Sequence, residues 1–86
     1  MQLYKEIGNC FPVIKNLFSS EELLEFKNTP IGDLYLYHFG LGMWIRNNLL
    51  TENSALYQSF TKNNMIEKDD MSSFIIKLFH ESLSSS

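Results

Sequence analysis

The 86-residue sequence predicts an all-α fold: a compact bundle of four or five short helices around a central apolar helix at about residues 30–50. Three observations carry that prediction. From Asp33 to Leu50, Leu34, Tyr37, Leu41, Trp44 and Ile45 recur at the three- and four-residue intervals of a helix with a buried face. Four Gly and two Pro are too few for the turns of a β-rich chain. Helix-start signals also recur along the sequence, as set out below. Residues 1–86 are therefore read as one helical domain, with 84–86 as a frayed tail.

In chain order, Leu3, Tyr4, Ile7, Cys10, Phe11, Ile14, Leu17 and Phe18 keep helical spacing. Gly8 and Pro12 interrupt it, which predicts a short helical segment, a break near Gly8–Asn9 and a second helix from about Phe11 to Phe18. A single kinked helix is the alternative. Ser19 stands three residues before Glu22, the capping-box spacing, and opens a short helix from about Ser20 to Lys27 with Leu23, Leu24 and Phe26 inward. Thr29 then reads as an N-cap, with Pro30 in the first turn and Asp33 near the positive helix end. The central helix begins there. Its remaining faces carry Tyr35, Leu36, Phe39, Met43 and Leu50, the composition of a helix wrapped by its neighbours. Asn47 and Asn48 end it. Asn53 or Ser54 caps a helix to about Thr61, with Leu56, Tyr57 and Phe60 inward, and Asn63-Asn64 suits its stop. Met65 and Ile66 are expected to tuck into the core. Asp69 and Asp70 start a last helix, with Met71, Phe74, Ile75, Leu78 and Phe79 as its buried stripe.

Composition narrows the function classes. A net charge of −3 and a pI near 5.2 disfavour a nucleic-acid-binding surface and favour a basic partner. His38, Arg46 and two Asn interrupt the central apolar stretch, so it is not read as a membrane span. The single cysteine, Cys10, cannot form an intramolecular disulfide, and no Cys/His cluster has metal spacing. The N-terminus shows no basic region followed by an apolar run, so no signal peptide is expected. The expectation is a cytoplasmic chain with no cofactor.

The stretch His38–Asn47, HFGLGMWIRN, is followed some twenty residues later by the Asp69–Ser72 start DDMS and an apolar helix with His80 near its end. Together with the lead-in EELLEFKNTP, these motifs resemble a small bacterial family classed as a domain of unknown function, over about Ser19 to Leu83. Members of that family often carry a Trp-Gly pair after the Arg-Asn-Asn. This chain has Leu49-Leu50 there, so no ligand role is carried over to that loop. The resemblance implies no established activity, and it tilts the expectation toward an immunity- or antitoxin-like role.

His38, Arg46 and the Asp69/Asp70 pair are the one constellation that chemistry could use. At 100° per residue His38 shares a face with Ile45, and Arg46 with Tyr35, Phe39, Gly42 and Leu49. An arginine there needs a carboxylate or open carbonyls, because a buried charge left unpaired costs several kcal/mol. Asp70 is the favoured partner and Asp69 the second; an anion or substrate site is the alternative. His38 is read as a hydrogen-bonded core histidine. Gly40 and Gly42 lack the preceding strand and third glycine of a dinucleotide loop, and are read as a groove against which the last helix lies. Glu21, Glu22, Glu25 and Glu67, with Asp69 and Asp70, are helix-start charges that could also form an acidic docking patch. Tyr4, Phe11, Phe18, Tyr35 and Tyr57 exceed what so small a core encloses, so several exposed together would mark an interface.

The expected function is accordingly a non-enzymatic binding protein that occludes a basic protein partner. Two alternatives stand beside it: an inhibitor of a bacterial defence complex carried by a phage or mobile element, and a small enzyme or ligand-binding subunit using His38 and Arg46.

Overall fold

The computed structural model describes residues 2–84, which form α1 (Gln2–Lys15), α2 (Ser20–Lys27), a 3-10 segment (Ile31–Tyr37), a π-helical segment (His38–Gly42), α3 (Met43–Asn48), α4 (Ala55–Lys62) and α5 (Lys68–Ser84). No strand occurs among the described residues. α5 is the longest helix and the common neighbour of α1, α2, α3 and the two irregular segments, while α1 also packs on α4.

α1 is one uninterrupted helix, not two, although Pro12 lies inside it. Leu3, Ile7, Cys10 and Ile14 are buried along one stripe that crosses the proline. Burying such side chains stabilises by about 1.5–3 kcal/mol each, against about 3 kcal/mol for an interior proline. Burial wins. Cys10 belongs to this stripe, and its Sγ lies 2.9 Å from the Ile7 carbonyl oxygen. Burial pushes the thiol up to about 11 from its usual 9.0, so at neutral pH it is an uncharged filler and a poor nucleophile.

α2 is capped as its sequence predicts. The Glu22 amide donates to Ser19 Oγ at 3.1 Å, and the Ser19 amide donates to Glu22 Oε1 at 2.8 Å. Those Ser19 contacts, the amide first and the hydroxyl second, hold the Glu22 carboxyl below its ordinary range. Phe26 is fully buried, but Leu24 faces solvent. Thr29 does not cap the next segment. Its hydroxyl donates back to the Glu25 carbonyl at 2.8 Å, and its own carbonyl lies 2.9 Å from His80 Nε2 on α5. Pro30, extended at φ −60° and ψ 148°, is the residue that enters the central stretch.

That central stretch occupies residues 31–48, where the sequence places it, yet only its last six residues are α-helical. The 3-10 segment turns more tightly than an α-helix, and the π segment, with two glycines in five residues, turns more loosely. Side-chain directions therefore depart from a 100° wheel. Leu34, Gly42 and Ile45 face inward, whereas Tyr35, Leu36, Phe39 and Met43 face out. The stretch is covered by α5 on one side and open on the other, so the expected all-round wrapping is corrected.

α4 starts at an Ser54 N-cap and stops at Asn63, with Asn64 at φ 67°, a left-handed position that Asn tolerates. Leu56 and Phe60 are buried, Met65 half-buried and Ile66 exposed. Leu50 is fully buried and closes the core where the central stretch ends. On α5, Met71, Ile75 and Phe79 form the expected stripe, but Ser72, Ile76 and His80 are buried as well, at successive four-residue steps. Ser84, read from sequence as part of a frayed tail, is the last residue of α5 and its hydroxyl donates to the His80 carbonyl at 3.3 Å. The remainder of that expected tail, 85–86, lies outside the described residues.

Candidate functional site

The π segment, α3 and the start of α5 meet at Arg46, whose side chain is 15% exposed. Its Nη1 donates to Ser72 Oγ at 3.0 Å and its Nη2 to the His38 carbonyl at 3.4 Å, while Nε lies 3.4 Å from Asp69 Oδ1. Ser72 Oγ in turn donates to the Asp69 carbonyl at 3.0 Å. Asp69, not Asp70, is the carboxylate partner. Because the Asp69 side chain is 68% exposed, water screens the pair, and the neutral acceptors carry more of the anchoring. The π segment brings the His38 carbonyl within reach of a residue eight positions on, which no straight helix wheel shows. The guanidinium thus clamps the central stretch to α5.

Gly42 makes room for that clamp. A Cβ there would stand 3.0 Å from Arg46 Nη1, 3.5 Å from the Tyr37 carbonyl oxygen and 3.7 Å from Ser72 Oγ. The close approach to α5 is therefore at Gly42 alone, since a Cβ at Gly40 would meet nothing within 4 Å. Ala at an open helical glycine gains up to about 1 kcal/mol in propensity. Gly40→Ala is expected to stabilise by about 0.5–1 kcal/mol, and Gly42→Ala to be neutral or destabilising because it displaces the guanidinium. Paired urea melts check this; equal stabilisation by both would remove Gly42's packing role.

His38 is half-buried rather than enclosed in the core. Its ring stands edge-on to Phe39, 5.2 Å between centroids, and lines a pocket of about 200 Å³ with Ile31, Leu34, Tyr35, Ser73, Ile76 and Lys77. The enclosed histidine is His80, which sequence reasoning passed over. It is buried, edge-on to Phe26 at 5.4 Å, and bonded to the Thr29 carbonyl. The four-residue steps Ser72, Ile76, His80 are the available signal. His38 and Arg46 do not face one cavity: Arg46 meets the His38 carbonyl, and its guanidinium is not part of the pocket that the His38 ring lines.

The acidic and aromatic candidates separate. Tyr57 is half-buried and covered by Lys68 Nζ at 5.4 Å from its ring centre, and Phe11 packs on Phe79. Tyr4 and Tyr35 are exposed, as is Phe39, the most exposed large apolar side chain among the described residues at 76%. Ile31, Tyr35, Leu36, Phe39 and Met43 are all exposed within thirteen residues of chain. Trp44 is half-buried and lines a groove with Phe18 and Tyr37, beside Glu22. Glu21, Glu67 and Asp70 are exposed on α2, in the loop before α5 and on α5, and Asn47 is exposed at the end of α3. No group of three or more His, Cys, Asp and Glu arranged to hold a metal ion occurs among the described residues. None of the described helices is long and apolar enough to cross a membrane.

Fold and site define a small all-α domain with a part-buried arginine clamp and a central stretch that leaves large apolar side chains exposed. A family model described as Domain of unknown function (DUF6794) matches residues 5–83, and the chain belongs to that family. The match reaches further toward the N-terminus than the motifs, taking in most of α1. No curated protein and no solved structure matches the chain.

Proposed function

We propose that this chain is a non-catalytic protein of the bacterial cytoplasm that occludes a basic protein partner, as immunity and antitoxin-like inhibitors do. The observation that carries the reading is the open side of the central stretch. Ile31, Tyr35, Leu36, Phe39 and Met43 leave large apolar side chains in water within one short segment, the kind of surface that marks an interaction site. Aromatic anchors of this type lengthen the lifetime of a complex, and the net charge of −3 speeds encounter with a cationic face. A ligand-binding reading of the His38 pocket is weaker. Its 200 Å³ falls below the roughly 300–1,000 Å³ of small-molecule sites, and Arg46 is spent on the clamp.

The test compares the wild-type chain with a Tyr35→Ser/Phe39→Ser variant of equal thermal stability, each immobilised and exposed to soluble extract of the native host. A partner held by the wild type and at least about tenfold weaker on the variant is the expected result. Its association should slow as salt rises to physiological strength, where charges reach only about 8 Å. Identical retention by both proteins would defeat the reading. So would turnover of a small molecule that a stable His38→Ala variant abolishes.

A further inference from the structure

A groove on the molecule pairs aromatic walls with an acidic rim. Phe18, Glu22, Tyr37, Leu41 and Trp44 line a space of about 330 Å³, and a neighbouring space of about 160 Å³ shares Phe18, Glu22 and Tyr37 and adds Glu25. The two spaces adjoin at those shared residues and together form a groove between α2 and the central stretch. Two of its aromatic walls are braced from beneath. Phe26, fully buried, holds Phe18 with ring centres 5.4 Å apart and Tyr37 edge-on at 4.8 Å. The Phe18 and Tyr37 walls are therefore set before anything binds and lose little side-chain freedom.

The rim charges are open. Glu22 and Glu25 are both exposed and form no ion pair among the described residues. Glu22 gives Oε1 to its cap and stays ionised, since its carboxyl is held below the ordinary range. We infer that this groove receives an arginine side chain presented by a basic protein segment. The guanidinium plane would lie against the Phe18, Tyr37 and Trp44 rings while its N–H groups face the Glu22 and Glu25 carboxylates. Planar, weakly hydrated guanidinium suits a combined aromatic and carboxylate site better than a compact ammonium does. The groove's chemistry, aromatic rings beside carboxylates, is what selects a cationic side chain. This inference rests on the binding-protein reading for its biological partner, although the groove's chemistry can be measured without that partner.

Trp44 is the only tryptophan, so its emission reports on the groove directly. The full chain is titrated at low salt with an acetylated, amidated peptide of alternating arginine and alanine, and with its citrulline counterpart, which keeps the shape and removes the charge. The arginine peptide should change Trp44 emission saturably and bind at least about tenfold better than the citrulline peptide. Glu22→Gln, which keeps a residue able to complete the capping box, and Glu25→Gln should each weaken binding about threefold, and together about tenfold. Glu21→Gln, on the same helix but outside the groove, should leave binding unchanged. Absence of saturation, equal binding of the citrulline peptide, or an equal loss with Glu21→Gln would overturn the inference. A captured partner retained undiminished by the double Gln variant would overturn the groove alone. Intact peptide binding with no captured partner would defeat the binding-protein reading alone.

Discussion

Phe26→Ala is expected to remove about 3–5 kcal/mol of stability, the largest effect of any single truncation considered. Phe26 has no exposed surface, and its ring contacts Phe18, Tyr37, Phe79 and His80 from three different parts of the chain. No one neighbour can move into the vacated space without leaving another partner, so the cavity stays open and the lost contacts are not replaced. For a chain of this size each kcal/mol lowers the melting temperature by roughly 4–8 °C, and a small domain has only about 5–15 kcal/mol in total. The variant should melt far below the wild type or be unfolded at room temperature. Circular dichroism at 222 nm through a urea titration reads the result. A loss under about 1 kcal/mol would show that α2 is not a core element.

Arg46→Met is expected to cost about 1–3 kcal/mol, because methionine fills the space of the stem while Ser72 Oγ and the His38 carbonyl lose their donors. Double-mutant cycles separate the partners. Coupling to Ser72→Ala should exceed coupling to Asp69→Asn, whose carboxylate is screened, and coupling to Asp70→Asn should be near zero. A large Asp70 term would relocate the clamp. A fully stable Arg46→Met protein that had lost partner binding would make Arg46 an interface residue.

Local signals in the sequence carried much of the fold. The capping box of Ser19 and Glu22, the Ser54 cap, the Asn63-Asn64 stop and the stripe of Met71, Ile75 and Phe79 each need only neighbours along one helix, and each stands where its spacing predicts. What periodicity could not reveal are the places where tertiary burial or non-α geometry decides. α1 runs through Pro12 because its buried stripe outweighs one missing hydrogen bond. Thr29 serves α2 and His80 rather than the segment after it, a choice set by α5 some fifty residues away.

The candidate site shows the same division. A close approach of the last helix at Gly42 and a carboxylate or carbonyl partner for Arg46 were both legible, since a mid-helix glycine and a buried guanidinium each have few physical explanations. The side-chain directions were not. The 3-10 and π segments rotate Phe39 into solvent and leave His38 half-buried at a pocket rim, where a uniform wheel places His38 with Ile45. Asp69 prevails over Asp70 because Ser72, three residues on, shares its side of α5 and bonds its carbonyl.

Amide hydrogen exchange on the complex with the captured partner tests the central claim most directly. Added protection should concentrate in residues 31–44 and in α2, which carry the exposed apolar side chains of the central stretch and the acidic rim of the groove. Protection confined to α1 and α4, with residues 31–44 exchanging as in the free chain, would contradict the account.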